Sequence, residues 1–148
     1  MKKTSSKLLL LDVNVLLALA WPNHQFHHAA LRRLESRADR WATCALTQLG
    51  FIRLSSNPAA VGIAKTPAEA VRLLHEMVRD DRHVYLDVLP APASRDFAVA
   101  FDAVLGSKQV TDAYLLSLAQ ARHATLVTFD TRLRALAGPD KQVEILTS

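Results

Sequence analysis

The stretch LLLLDVNVLLALA, residues 8–20, decides how this chain can fold. Its four leucines suit a strand that is buried on both faces of a sheet, and the apolar run after Asn14 suits one or two turns of helix that end at Pro22. The carboxylate of Asp12 and the amide of Asn14 stand between these two elements. Because an unpaired charge is costly to bury, Asp12 must either find a partner or mark the point where the chain leaves the core. We therefore predict a buried strand that ends at Asp12.

The composition predicts one globular domain that spans residues 1–148. Half of the residues are hydrophobic and 22% are charged, which is typical of a folded chain and not of a disordered one. The net charge of +4 favours a polyanionic partner without identifying it. The polar residues 4–7 and Asp12 limit the first apolar run to four residues, so we expect neither a signal peptide nor a membrane span, and we expect a cytoplasmic protein. The single cysteine, Cys44, lies in the apolar segment ATCAL and is expected to be a buried small hydrophobe.

Short apolar runs alternate with amphipathic runs along the rest of the chain. Besides the first strand, strands are predicted over residues 41–45, 83–89, 124–129 and 143–147. Helices are predicted over residues 24–40, 46–56, 68–80, 94–105, 110–123 and 130–138, with a loop at 106–109. No two-residue hairpin signal separates the strands. The pattern predicts an α/β domain with a central, mainly parallel twisted sheet that is flanked by helices on both faces.

Three aspartates fall where a parallel sheet would gather them. Asp12 and Asp130 directly follow predicted strands, and Asp112 opens the helix that leads into the second of those strands. Ligands of such sheets bind beyond the carboxyl ends of the strands. Carboxylates gathered there would repel one another and raise one another's pKa, and a hard divalent ion with oxygen ligands, Mg²⁺ or Mn²⁺, would relieve that repulsion. We therefore predict that Asp12, Asp112 and Asp130 are metal ligands.

Each aspartate also has a simpler interpretation. Asp12 and Asp130 could each cap the helix that follows, and Asp112 could be a first-turn acid favoured by the helix dipole, with Thr111 as the cap. Capping alone does not explain why two of these residues fall at the ends of buried strands. Both interpretations stay open from the residues alone.

Four segments resemble, in order and spacing, the sequence blocks of PIN-domain ribonucleases, and in particular of the VapC toxins of bacterial toxin–antitoxin pairs. The segments are LLLLDVNVLLAL, LTQLGFIRLSSNP, QVTDAYLLSLA and LVTFD. The resemblance extends from Leu8 to about Leu146. It implies a cluster of acidic residues that holds Mg²⁺ or Mn²⁺ and hydrolyses RNA, a cognate antitoxin protein that inhibits the enzyme, and a homodimer.

The resemblance also implies roles for individual residues. Asp12, Asp112 and Asp130 match the first, third and fourth acids of the family, whereas Gln48 stands where the family usually has a glutamate. A glutamine carbonyl can still contact an ion or a bound water. The site would carry one negative charge less, which disfavours a tightly held second metal more than it disfavours activity.

Further residues are expected to support this site or to hold the substrate. Asn14 would donate a hydrogen bond to Asp12 or to a bound water, and the hydroxyls of Thr47 and Thr128 would position metal-bound waters. Basic side chains are expected to contact the RNA backbone, because phosphate contacts supply most of the affinity for nucleic acids. The basic residues predicted for this role are Arg53, Arg95 and Lys108.

Three other interpretations remain possible. Gln48 allows a catalytically weakened PIN domain that binds RNA or a protein without cutting. A phosphatase of the haloacid dehalogenase class would use Asp12 as its nucleophile, but that class expects an aspartate at the position of Asn14. His24 and its neighbours at 27 and 28 have helical spacing, but no zinc-site template matches them, so we expect partly exposed helix-face side chains.

Overall fold

A computed structural model describes residues 6–35, 38–98, 101–102, 104, 106–137 and 142–147. Within these residues five strands form one sheet in the order β3-β2-β1-β4-β5, and every strand pair is parallel. The strands are β1 (Leu8–Leu11), β2 (Arg40–Cys44), β3 (His83–Leu86), β4 (Thr125–Thr128) and β5 (Val143–Ile145). The predicted parallel sheet is confirmed, and the leucine run forms its central strand.

The helices occupy the connections between these strands. They are α1 (Val13–Ala20), α2 (His27–Glu35), α3 (Ala45–Ser55), α4 (Pro58–Val61), α5 (Pro67–Met77), α6 (Arg95–Ala98), α7 (Val110–Ala121) and α8 (Leu133–Ala137). The start of α5 follows directly from its sequence, because Thr66 and Glu69 form a capping box with hydrogen bonds of 2.9 and 3.1 Å. Of the helices that the structure describes, none is long and apolar enough to cross a membrane.

Alternating side chains of the strands build two apolar layers, one on each face of the sheet. Leu9 and Leu11 pack with Phe51 of α3 in the layer that also holds α1, α2 and α5. Leu10 packs on the opposite face with Leu115 of α7 and with α8. Leu9, Leu10 and Leu11 are fully buried, whereas Leu8 at the start of β1 is partly buried. The sequence predicted this arrangement, because a strand that is apolar at every position has a core on both sides.

Two predicted elements differ from the structure near their ends. The helix predicted over residues 94–105 was wrong in extent, since only Arg95–Ala98 is α-helical among the described residues and positions 99, 100, 103 and 105 lie outside them. The predicted helix over residues 24–40 begins at His27 instead, because the ring of His24 accepts a hydrogen bond from the backbone of Phe26 at 3.1 Å and holds a turn there. The strand predicted over residues 83–89 ends at Leu86.

Short helical turns also appear where none was predicted. Asn57 caps α4 through a 3.0 Å hydrogen bond to the backbone of Ala59, with Pro58 as the first helical residue. The helix predicted over residues 46–56 ends just before Asn57 and Pro58, and the same pair is also a helix start signal. Residues 107–109, within the predicted loop, form a 3-10 turn that leads into α7. Cys44 is buried and free, as expected.

Candidate active site

Two of the three predicted acids are linked by a single hydroxyl at the carboxyl edge of the sheet. Because Leu11 pairs with Val127, Asp12 and Thr128 stand side by side at the ends of β1 and β4. Thr128 Oγ1 donates a hydrogen bond to Asp12 Oδ2 at 2.8 Å and accepts one from the backbone N–H of Asp130 at 3.1 Å. The parallel pairing of β1 and β4 therefore brings Asp12 and Asp130 to one place.

Asp12 is a nearly buried carboxylate with both oxygens held. Its side chain is 9% exposed, and Oδ1 accepts a hydrogen bond of 2.7 Å from the backbone N–H of Val13. Burial raises the pKa of Asp12, and the nearby charge of Asp130 raises it further, while the hydrogen bonds from Thr128 and Val13 oppose the rise. Asp12 is thus also the N-cap of α1, so the capping interpretation and the cluster interpretation hold together.

Asp112 faces the same cluster from the first turn of α7. Burial raises the pKa of Asp112 to about 6, with further contributions from the negative charges of Asp12 and Asp130. Thr111 does not cap this helix, because the N-cap position falls on Gln109. The structure therefore places three carboxylates within electrostatic reach of one another, with a surplus of negative charge among them.

An arginine that the sequence analysis did not single out lies at the rim of this cluster. Arg132 binds both oxygens of Asp130, with Nε 3.0 Å from Oδ1 and Nη2 2.8 Å from Oδ2, and its backbone N–H donates to Oδ1 at 3.0 Å. These bonds lower the pKa of Asp130. The Arg132 side chain is 64% exposed. The short segment DTR after β4 was the available signal, since an aspartate often bonds to the backbone two residues on.

The three carboxylates suit a hard divalent cation, but their present positions do not form a complete metal site. Carboxylate oxygens are the preferred ligands of Mg²⁺ and Mn²⁺. Burial is the main cause of the raised pKa of Asp112, and the negative charges of Asp12 and Asp130 add to it, although Arg132 offsets part of the rise. Among the described residues, no group of three or more His, Cys, Asp or Glu side chains is placed to bind a metal ion. Arg132 occupies both oxygens of Asp130, so Asp12 and Asp112 are the carboxylates left without an arginine partner in this cluster.

Gln48 lies in the first turn of α3, which begins directly after β2. The pairing of Leu10 with Ala42 puts the carboxyl ends of β1 and β2 at the same edge of the sheet. Gln48 Nε2 donates to Thr43 Oγ1 at 3.0 Å, and Thr43 Oγ1 lies 2.7 Å from His83 Nε2. No hydrogen bond within the described part of the chain joins Gln48 to the three aspartates.

The two other predicted supporting residues make different contacts from those expected. The Thr47 hydroxyl is fully buried and bonds the backbone of Cys44 at 3.0 and 3.1 Å, so it stabilises the start of α3 and its contacts do not support the predicted water-positioning role. Asn14 is exposed on the first turn of α1. The described contacts contain no bond from Asn14 to Asp12, and Thr128 supplies the side-chain donor in its place.

No described contact joins the residues predicted to hold RNA to the three aspartates. Arg53 and Arg95 are exposed on α3 and α6, and the side chain of Lys108 lies outside the described residues. Two of the three clustered histidines contact the backbone: His27 Nδ1 lies 2.6 Å from the carbonyl oxygen of Ala18, and His24 Nδ1 accepts a hydrogen bond from the backbone N–H of Phe26.

Comparison with known proteins decides the family. A model of the PIN domain matches residues 9–139. The chain belongs to the PIN-domain family. This PIN domain is similar to Ribonuclease VapC38 of Mycobacterium tuberculosis, with 41% identity over 150 residues that cover 93% of this chain and 97% of the relative. It is also similar to Ribonuclease VapC39 of the same species, with 41% identity over 127 residues that cover 84% and 89% of the two chains.

Solved structures share the fold of this PIN domain at low sequence identity. A crystal structure of VapBC2 from Rickettsia felis, bound to a DNA fragment from its promoter, aligns with a TM-score of 0.62 and 16% identity over 95% of this chain and 99% of that chain. A toxin–antitoxin complex from Klebsiella pneumoniae aligns with a TM-score of 0.58 and 18% identity over 92% and 95% of the two chains. The predicted α/β architecture is therefore confirmed by the structure of this chain and by these two structures of the same fold.

Proposed function

We propose that this PIN domain is a metal-dependent endoribonuclease toxin of a VapBC-type module, which a cognate antitoxin protein inhibits. The observation that carries the proposal is the Thr128 bridge, which joins Asp12 to Asp130 beside Asp112 at the carboxyl edge of the sheet. The curated relatives that cover most of the chain are named ribonucleases. Oxygen ligands at this edge suit Mg²⁺ or Mn²⁺.

In the proposed mechanism each carboxylate has a separate task. Asp12, fixed by Thr128 and Val13, and Asp112, in its deprotonated form, would hold the metal directly. Asp130 would orient the attacking water by accepting a hydrogen bond from it, once Arg132 has released its oxygens. The bound metal would supply a water of lowered pKa and stabilise charge on the phosphoryl oxygens. Attack at phosphorus with departure of the 3′ oxygen would leave a 5′-phosphate and a 3′-hydroxyl.

The proposed partners follow from charge and from the relatives. The net charge of +4 and the exposed Arg53 and Arg95 suit an RNA backbone, with Lys108 as a third candidate. The solved structures with the same fold are toxin–antitoxin complexes, which supports a cognate antitoxin as the protein partner. The protein would be a homodimer. It would act in the cytoplasm, where it would meet both RNA and the antitoxin.

The test is cleavage of a defined single-stranded RNA by the purified protein in Mg²⁺ or Mn²⁺, in EDTA, and after metal is added back. We expect cleavage that EDTA stops and metal restores, with product ends that carry a 5′-phosphate. Cleavage that EDTA leaves unchanged would contradict the metal, and 2′,3′-cyclic phosphate ends would contradict the attacking water.

The second candidate is a PIN domain that binds RNA or a protein without cutting it. Gln48 favours this candidate, because an uncharged amide stands where the resemblance to the family implies a glutamate, so that the site would carry one negative charge less. Wild type and Gln48→Glu should be compared in Mn²⁺. Cleavage by the wild type supports the nuclease, whereas cleavage by Gln48→Glu alone supports the weakened domain.

A further inference from the structure

The side-chain amide of Gln48 has two ends of opposite character. Its carbonyl oxygen could accept a bound water or contact a cation, whereas its NH₂ group would repel a cation. A glutamate has two equivalent oxygens and needs no such choice. A glutamine at a cation site therefore requires something that fixes which end of the amide points outward.

A hydrogen bond to Thr43 of β2 fixes the amide of Gln48 in this way. Thr43 is fully buried, and its Oγ1 accepts the 3.0 Å hydrogen bond from Gln48 Nε2. His83 Nε2 lies 2.7 Å from the same Thr43 oxygen. The ring of His83 is held by the indole of Trp41, with centroids 4.7 Å apart, and Trp41 is itself held by a 3.1 Å bond to Asp80.

The donors and acceptors of Gln48, Thr43 and His83 limit which of these groups can donate to which. Burial lowers the pKa of His83 from its ordinary value, although Asp80 opposes the shift, and the lowered pKa favours the neutral ring. Thr43 has one proton to donate, and Gln48 already donates to it. If the hydroxyl donates that proton to His83 Nε2, which lies 2.7 Å away, the ring proton of His83 lies on Nδ1.

We infer that Thr43 and His83 are positioning residues that hold the NH₂ group of Gln48 against β2 and leave its carbonyl oxygen for the metal site. Gln48 Oε1 accepts no hydrogen bond from the residues that the structure describes. The inference rests on the proposed function, because it assigns the free oxygen to that same site. It accounts for how this chain tolerates a glutamine at a position where its family usually has a glutamate.

The test is the Mn²⁺ affinity of matched variants, measured by calorimetry. Thr43→Val removes the acceptor at nearly constant volume, and we expect Mn²⁺ to bind about tenfold more weakly. Thr43→Ser, which keeps the hydroxyl, should bind as the wild type does. In the Gln48→Glu background, Thr43→Val should change the affinity less than about twofold, because a carboxylate has no wrong end. Equal losses in the two backgrounds, or no loss in either, would overturn the inference.

A second measurement needs neither metal nor activity. Nitrogen-15 shifts should show His83 protonated at Nδ1, and Thr43→Val should move the side-chain amide resonances of Gln48. His83→Phe is the second variant, to be used if Thr43→Val fails to fold. It keeps an aromatic ring beside Trp41 and should move the same resonances. Protonation of His83 at Nε2, or Gln48 resonances that these variants leave unmoved, would overturn the inference. If the wild type neither binds Mn²⁺ nor cuts RNA, the proposed function fails, and the resonances still decide whether the amide is held.

Discussion

Thr128 donates a 2.8 Å hydrogen bond to Asp12, which lies 116 residues earlier in the chain. This bond exists because β1 and β4 are parallel neighbours, with their carboxyl ends at the same edge of the sheet. It gives a nearly buried carboxylate its only described side-chain donor. The candidate site therefore depends on the pairing of two distant strands as much as on its acidic residues.

Loss of the Thr128 hydroxyl should weaken the site and the fold together. Thr128→Val leaves Asp12 Oδ2 without its partner, so the pKa of Asp12 should rise further and the free energy of unfolding should fall by about 1–3 kcal/mol. We expect roughly 10- to 100-fold weaker Mn²⁺ binding by calorimetry. Thr128→Ser is the matched control and should stay near the wild type. Wild-type affinity in Thr128→Val would show that the hydroxyl does not prepare Asp12 for metal.

Asp112 should lower stability in the absence of metal. Its folded pKa of about 6 lies above the ordinary value of 3.8 for an aspartate, so the folded state binds more protons than the unfolded state between those two values. The free energy of unfolding should therefore fall as the pH rises from about 4 to about 6, and change little above that range. Asp112→Asn removes this penalty and should stabilise the metal-free protein at pH 7.5 by roughly 1–2 kcal/mol, which is less than the full pKa shift implies because solvent screens the partly exposed side chain.

The same Asp112→Asn variant should lose RNA cleavage, so stability and activity move in opposite directions. Chemical denaturation at pH 4 and pH 7.5 without metal measures the first quantity, and a cleavage assay measures the second. Asp87→Asn, an exposed aspartate after β3, is the control and should change neither. A destabilised Asp112→Asn protein at pH 7.5 would contradict the proposed electrostatics.

Removal of Arg132 should favour metal binding. The guanidinium holds both oxygens of Asp130 and competes with a cation for them. Since the Arg132 side chain is largely exposed, we expect a modest effect, with Mn²⁺ bound roughly three- to tenfold more tightly by Arg132→Ala. Arg134→Ala, which removes an exposed arginine of α8, is the control and should leave the affinity unchanged. Weaker Mn²⁺ binding by Arg132→Ala would mean that the arginine supports the metal site.

Gly50 should be required for the close contact between α1 and α3. An added Cβ at Gly50 would stand 2.7 Å from Cγ2 and 3.2 Å from Cγ1 of Val13, the residue after Asp12. The gain in helix propensity is about 1 kcal/mol, but overpacking against a stiff β-branched side chain costs about 1–3 kcal/mol. We expect Gly50→Ala to unfold more easily by about 1 kcal/mol in denaturant titrations.

Val13→Ala should rescue the Gly50→Ala protein, because it opens the space that the new methyl group needs. The double variant should then lose less stability than the sum of the two single variants. A Gly50→Ala protein that is more stable than the wild type would show that Val13 moves aside without strain.

The sheet and its buried strands could be predicted because their signal is local. Four consecutive leucines and the run before Asp130 each indicate burial on both faces, and a parallel sheet then puts Asp12 and Asp130 at one edge. The start of α5 after Thr66 can also be predicted from the local sequence, since a capping box is contained in four residues.

The rest depended on contacts between residues that are distant in sequence. The bond from Thr43 to His83 joins positions 40 residues apart, and nothing in either segment predicts that the two strands are neighbours. Arg132 is near Asp130 in sequence, but a guanidinium at the end of a flexible methylene chain can turn to solvent or to a carboxylate with equal ease. The helix predicted near residue 94 was too long because periodicity indicates a helical preference without its end point.

The central claim is that Asp12 holds the metal that the RNA cleavage requires. The measurement is single-turnover cleavage of a defined RNA in saturating Mg²⁺ by Asp12→Asn and by the wild type, with circular dichroism of both. The proposed mechanism predicts a folded Asp12→Asn protein whose cleavage rate falls at least about 100-fold. A folded Asp12→Asn protein that cuts RNA at the wild-type rate would contradict it.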